Sequence, residues 1–184
     1  MMQHVSFRGS PGVEVEGDAP PPMTPPRFLA DCHLGRLARH LRFAGFDTLF
    51  CPETDDTRLL ERAFRERRLL LTRDRELAHR GQSQALLLRA VSLEAQLKEL
   101  NARLPLAKHF APFTRCMVCN TPLEKIPKAR LPETVPPRVR ESFDDFRHCP
   151  GCGRIYWRGD HYAALIRQWE RLREKDPLSE KSSR

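Results

Sequence analysis

Two C-x-x-C pairs, Cys116-Met-Val-Cys119 and Cys149-Pro-Gly-Cys152, constrain this 184-residue chain more than any other feature. That spacing lets a tight turn aim two sulfurs, with backbone N–H groups behind them, at one tetrahedral centre. Pro150, Gly151 and Gly153 suit such a turn, because proline presets φ and glycine accepts positive φ. Two disulfides or a thioredoxin-type redox pair are the competing readings. Both fit less well: Met1–Gly17 is polar and charged, unlike a secretory leader, and neither pair sits in the strand–helix setting of a redox motif. The expectation is a zinc ribbon over 108–175, its one structural zinc held by Cys116, Cys119, Cys149 and Cys152 with no position left open for catalysis. The 29 residues between Cys119 and Cys149 exceed the usual ribbon spacing of about 15–20. Residues 124–139, with Pro127, Pro132, Pro136 and Pro137, are therefore expected to loop out.

The chain before this region follows another rule. Residues 1–26 hold Gly9, Gly12, Gly17 and five prolines between Pro20 and Pro26, and read as a flexible tail in which 12–17 alternates like a short strand. From Arg27, short apolar runs alternate with helical periodicity: Phe28–Ala30, then a stripe of Leu34, Leu37, Ala38 and Leu41 stopped by Gly45. Thr48–Cys51 follows, then a helix capped by Thr54 or Asp55 with Leu59, Leu60, Ala63 and Phe64 inward, closed by Arg67-Arg68. Leu69–Thr72 is apolar without alternation, as a strand covered on both faces should be. A short helical turn broken at Gly81, a strand at 85–88 and a helix capped by Ser92 complete the series. Strands joined by helical crossovers run parallel, so 27–107 is expected to be an α/β domain with a mostly parallel sheet flanked by helices. A linker over about 105–113 leads to the ribbon, a helix over 162–173 ends it, and 176–184 is a polar tail.

No apolar run approaches the roughly 20 residues a bilayer-spanning helix needs, and a cytoplasmic location with no membrane partner is the expectation. The 32 lysines and arginines exceed the acids by eight, a balance that favours polyanionic partners, of which nucleic acid is the commonest.

A second constellation is acidic. Asp31 follows the first strand, Asp55 and Asp56 the second, and Asp74 the third, so all project from the carboxyl edge of one sheet, where open α/β sheets bind ligands. Carboxylates gathered there repel one another unless a hard cation such as Mg²⁺ or Mn²⁺ lies between them. Such an ion could activate water for phosphodiester hydrolysis. The alternative is that these residues only cap helices and turns. Arg73 and the basic face of the first helix, Arg36, Arg39 and Arg42, suit phosphate contacts or a solvated surface equally. Trp157 and His161, after the second cysteine pair, could stack a base or touch a phosphate; packing is the favoured role for Trp157. Cys32 and Cys51 read as small buried apolar residues.

The ordered set Phe28-Leu-Ala-Asp31, Leu34-Gly-Arg-Leu-Ala-Arg-His-Leu-Arg42, Gly45-Phe-Asp-Thr48, Asp55-Asp56, Leu70-Leu-Thr-Arg-Asp74, the paired C-x-x-C and Trp157-x-Gly-x-x-His161 resembles the Mut-seven C-terminal RNase family over about residues 27–170. The resemblance implies a PIN-like nuclease fold with an appended zinc ribbon, and a metal-dependent ribonuclease acting on RNA. It implies Asp31, Asp56 and Asp74 as holders of Mg²⁺ or Mn²⁺, with Asp55 as a nearby substitute and Glu94 alone near the fourth acidic position of PIN nucleases. The competing expectation is a non-catalytic RNA-binding or ribosome-associated module with RNA-processing partners.

Overall fold

The computed structural model describes residues 24–52, 55–104 and 106–174. Residues 1–23 of the expected lead-in with its alternating segment 12–17, the alternative cap Thr54 and the polar tail 176–184 lie outside them.

The chain alternates β1 (Phe28–Ala30), α1 (Gly35–Phe43), β2 (Thr48–Phe50), α2 (Asp56–Arg65), β3 (Leu69–Thr72), α3 (Arg75–Gly81), β4 (Ala85–Leu87) and α4 (Leu93–Arg103). The strands form one sheet in the order β2-β1-β3-β4, every neighbour parallel. Its faces divide the strand residues by the two-residue period of a strand. Phe28, Ala30 and Leu71 point into a core shared with Leu37 and Leu41 of α1 and Leu97 and Leu100 of α4. Leu29 and Leu70 point the other way, to Leu59 and Ala63 of α2 and Leu77 of α3. Apolar burial on both faces is why β1 and β3 lack alternation.

Local chemistry sets the boundaries. Asp55 accepts from the Thr57 and Arg58 N–H groups at 2.9 and 3.3 Å, Asp74 from Glu76 and Leu77 at 2.7 and 3.0 Å, and Ser92 from Ala95 at 3.3 Å, so the starts of α2, α3 and α4 are capped. α1 stops at Gly45, whose φ of +96° is open only to a residue without Cβ, and whose Cβ would meet the Ala111 carbonyl oxygen at 2.4 Å.

The second unit is a three-stranded antiparallel sheet of β5 (Glu124–Lys125), β6 (Phe146–His148) and β7 (Ile155–Trp157), in sequence order. The insertion between the cysteine pairs is more ordered than its prolines suggest: it contains β5 and α5 (Pro137–Ser142), and Leu131 and Val135 pack with Phe146 in a small core of their own. Proline at the first turn of α5 explains how this stretch is helical, since that position has no N–H to satisfy.

The last helix, α6 (Asp160–Glu174), begins two residues before its expected start. Leu165, Trp169 and Leu172 enter the core beneath α1 and α4, with Trp169 stacked on Phe110 at 5.3 Å between ring centroids. The expected division between 27–107 and 108–175 is thus bridged by packing.

Candidate functional site

Each C-x-x-C pair forms a turn of the same construction. In the first, Asn120 N–H donates to the Cys116 carbonyl at 3.0 Å, and Cys116 N–H to Thr121 at 2.9 Å. In the second, Gly153 N–H donates to Cys149 at 2.8 Å, and Cys149 N–H to Arg154 at 2.9 Å. The residue after each second cysteine has positive φ, +70° at Asn120 and +73° at Gly153, a region open to Gly and tolerated by Asn.

The two turns bring all four sulfurs within 4.8 Å of one another. Cys116 and Cys152 are 3.6 Å apart and Cys119 and Cys149 3.3 Å. Zinc–sulfur bonds of about 2.3 Å in a tetrahedron separate sulfurs by about 3.8 Å, so the donor set and its spacing fit that ion. Further groups support the sulfurs: the Cys119 N–H donates to the Cys116 sulfur at 3.5 Å, Tyr156 Oη lies 3.0 Å from the same sulfur, and the Thr121 hydroxyl 3.3 Å from Cys119. Burial alone would raise the Cys119 pKa, but the Thr121 hydroxyl and N–H override it and lower it to about 6. Burial and the bond to Cys119 push Cys149 up to about 12.

The first turn is fastened to the α/β unit. Arg42, expected on a solvent-facing basic stripe for RNA, is buried and does not lie there. It donates from Nε to the Thr48 carbonyl at 2.8 Å and from one terminal nitrogen to the carbonyls of Met117 and Val118 at 3.3 and 2.6 Å. Helical phase placed it near Arg39, but only the tertiary fold could supply the knuckle carbonyls it satisfies. Asn120 accepts from the buried Thr48 N–H at 3.0 Å and donates to Asp47 at 2.7 Å. Asp47 also accepts from Arg68 at 2.7 and 3.1 Å and from Arg27 at 3.0 Å. Burial on its own would raise the Asp47 pKa, yet Arg68, Asn120 and Arg27 together hold it well below the ordinary carboxyl value. Sequence reasoning assigned no role to Asp47 or Asn120; for Asn120 the signal available was Asn in the position that Gly153 fills in the second turn.

At the carboxyl edge of the parallel sheet, Asp31 sits between β1 and β3, where the strand order reverses direction. This is the switch point at which such sheets place ligands. Asp31 is 2% exposed. One carboxylate oxygen accepts from His33 N–H at 2.9 Å, and the other from the Thr72 hydroxyl and from Arg73 N–H. Asp74 is exposed and caps α3, Asp55 caps α2, and Asp56 pairs with Arg80 at 3.3 Å. All four follow the strands expected, but among the described residues the cysteines are the group drawn together within 4.8 Å, and no three carboxylates are. Arg73 is exposed beside Asp31.

A cavity of about 480 Å³ opens at the same edge, lined by His33, Arg36, His40, Ser92, Glu94 and Gln96 among others. His33 was not singled out in the sequence, and Ser92 only as a helix cap. Glu94 reaches this cavity while paired with Lys98 at 2.6 Å. Arg36 and Arg39 are exposed on α1, as expected. Trp157 is half-buried against the insertion core, and His161 is exposed at the start of α6. Cys32 and Cys51 are half-buried; Cys51 packs under α2 and accepts from Arg62 at 3.5 Å.

Residues 26–169 match the family described as the Mut7-C RNAse domain. The chain belongs to that family. Comparison with curated proteins and with solved structures returns no match. A nuclease-type domain therefore carries both the acidic edge and the cysteine centre. Among the described residues no helix is long and apolar enough to cross a membrane.

Proposed function

We propose that this protein is a metal-dependent ribonuclease whose α/β unit is PIN-like and whose reaction takes place at the carboxyl edge of the parallel sheet. The observation that carries this reading is a buried Asp31 at the switch point of a domain belonging to an RNAse family. Asp31, Asp56 and Asp74, with Asp55 nearby, would hold Mg²⁺ or Mn²⁺, an ion that supplies a water acidic enough to attack phosphorus. Arg73 stands beside Asp31 to neutralise phosphate charge, and exposed Arg36 and Arg39 hold the backbone of the RNA. The four cysteines hold a structural zinc. Four thiolates leave that ion no position for substrate, so its part is to fix the ribbon on the α/β unit.

The test is cleavage of a labelled RNA, with Mg²⁺ or Mn²⁺ supplied, by the wild-type protein and by Asp31→Asn and Asp74→Asn. Loss of at least 100-fold in rate is expected for both, on the order of the contribution of a transition-state charge stabiliser. Asparagine keeps the single oxygen through which Asp74 caps α3, so Asp74→Asn should melt close to wild type; at buried Asp31 it exchanges one of two accepting oxygens for an amide donor, so Asp31→Asn is expected to melt lower and is assayed at a temperature where circular dichroism shows it folded. Equal cleavage by all three proteins overturns the assignment. A second reading, a non-catalytic RNA-binding module, draws on the present use of Asp31, Asp55 and Asp74 as caps and of Asp56 as an ion-pair partner. It requires RNA retention without cleavage in either metal.

A further inference from the structure

A cleft of about 320 Å³ lies where the ribbon meets the α/β unit. Five aromatic rings line it: Phe43 from α1, Phe113 from the linker, Tyr156 and Trp157 from β7, and Tyr162 from α6. Their origin in four separate segments means that the cleft exists only when the two units are docked. Tyr162 meets Phe43 and Phe113 edge-on, at 5.5 and 5.6 Å between centroids. Arg158 lies against two of these rings, its guanidinium over Phe113 at 5.2 Å and over Tyr162 at 5.6 Å, paired with Asp145 at 3.3 Å and with about half of the side chain exposed. Arg115, Asp160 and His161 add polar groups to the wall. An apolar slot with aromatic faces, cations beside its rings and a few polar groups is the kind of site that takes a nucleobase.

The cleft also connects to the acidic edge. Phe43, at the end of α1, lines it, and one helix face back from Phe43 carries His40, Arg39 and Arg36. His40 and Arg36 line the second cavity together with His33, two residues from Asp31. His161, on the cleft wall, is close enough to His40 that its charge, after burial and the charge of Arg36, helps to lower the His40 pKa. The nine residues of α1 span about 13 Å, so a basic path of that length joins the cleft to the edge.

We propose that this cleft binds one unpaired base of a single-stranded RNA whose phosphates then follow α1 to Asp31. The inference rests on the RNA-directed reading above and deepens it, because a base held in a slot must be splayed out of any helix. The site therefore selects single strands over duplex.

The test uses the zinc-loaded full-length protein without added Mg²⁺ or Mn²⁺, an eight-nucleotide RNA carrying one 2-aminopurine, and the duplex of the same sequence. Single-strand binding should quench the 2-aminopurine by stacking, and the duplex should not. Tyr162→Leu and Trp157→Leu keep apolar bulk but remove the ring, and should weaken single-strand binding roughly 5- to 100-fold at unchanged zinc content. Arg158→Gln removes only the charge of a half-exposed side chain and its pair with Asp145, so it keeps the test open should Tyr162→Leu not fold; roughly threefold weaker binding is expected. Equal affinity for single strand and duplex, or ring-deleted and Arg158 variants that bind as wild type, overturns the proposal. Cleavage is scored separately after the metal is added. A protein that binds single strands through the cleft and never cleaves leaves this inference standing and removes the nuclease reading. One that cleaves while the cleft variants bind as wild type does the reverse.

Discussion

Asp47 shows how one residue can carry more of the structure than the motifs around it. Its carboxylate joins Arg68, whose side chain is 6% exposed, to Asn120 of the first cysteine turn. Replacing Asp47 with asparagine removes the charge that compensates buried Arg68, which keeps only Glu66 as an ionic partner at 2.8 Å. The expected loss is about 2–4 kcal/mol, read from urea unfolding of wild type and Asp47→Asn at pH 7. The pH dependence follows from the same bonds. The folded pKa of Asp47 lies below its unfolded value of 3.8, and Glu66 is shifted the same way, chiefly by its bond to Arg68. The unfolded chain therefore binds more protons in acid, and the stability from these groups, complete above about pH 5, is lost as pH falls through and below 4. The wild-type urea midpoint should drop between pH 6 and pH 3, and the drop should be smaller in Asp47→Asn. The roles of Asp47 and Asn120 were not legible in the sequence: Asp47 stands in the Gly45–Thr48 stretch of the resemblance, but neither periodicity nor spacing says which distant groups it meets. The caps at Asp55, Asp74 and Ser92 were legible, since a cap is a contact with residues two or three positions away. For the aspartates, that same local role left a metal-holding role undecided.

Among the elements, the sequence was most informative where a segment buries both faces or must stop. The unalternating Leu69–Thr72 marked a covered parallel strand, and Gly45 marked the end of α1, both as found. The cysteine spacing specified two turns and the closeness of their sulfurs. Less legible was the partner of α6. Leu165, Trp169 and Leu172 define a stripe at helical spacing, but a stripe names a buried face and not the surface that buries it. In the fold it lies on the α/β core, with Trp169 1% exposed between Phe46 and Phe110. Trp169→Ala should then destabilise the parallel-sheet unit by about 3–5 kcal/mol, as a large core truncation does. The check is hydrogen exchange at the amides of β1 and β3: faster exchange there supports the packing, and faster exchange confined to the ribbon strands contradicts it. The insertion between the cysteine pairs was misjudged for a related reason. Its prolines exclude long elements, yet Pro137 at the start of α5 and the apolar Leu131 and Val135 suffice for one helical turn and a small core.

Over the whole molecule, the cysteine centre and the acidic edge belong to different sheets, and four sets of bonds bear on how tightly they are coupled. Arg42 holds the carbonyls of Met117 and Val118, Asn120 holds Thr48 and Asp47, Ala111 N–H donates to the Ala44 carbonyl at 2.9 Å, and Arg115 donates to the Gly45 carbonyl at 3.2 Å. The first two depend on the shape of the first cysteine turn, whose Asn120 must keep its positive φ. Without an ion the first turn keeps its own hydrogen bonds but loses its tie to the second turn, and Cys119 and Cys149 cannot both ionise at 3.3 Å without a cation between them. Removing the metal should therefore release Asn120 and Arg42 together and leave the Thr48 N–H without its partner. The consequence reaches the parallel sheet, because Thr48 begins β2 and pairs with Phe28 of β1. Chelation is expected to lower the melting temperature of the entire protein, with β2 amides losing protection alongside those of β6 and β7. Asn120→Gly separates the two causes: it retains the backbone conformation and the metal but deletes both side-chain bonds, and should cost about 1–3 kcal/mol with zinc content unchanged. A metal-free protein whose β2 amides exchange as slowly as those of the loaded form would show that the ribbon only rests on the α/β unit. Loss of protection in both cases would make the cysteine centre a determinant of the edge where Asp31 stands.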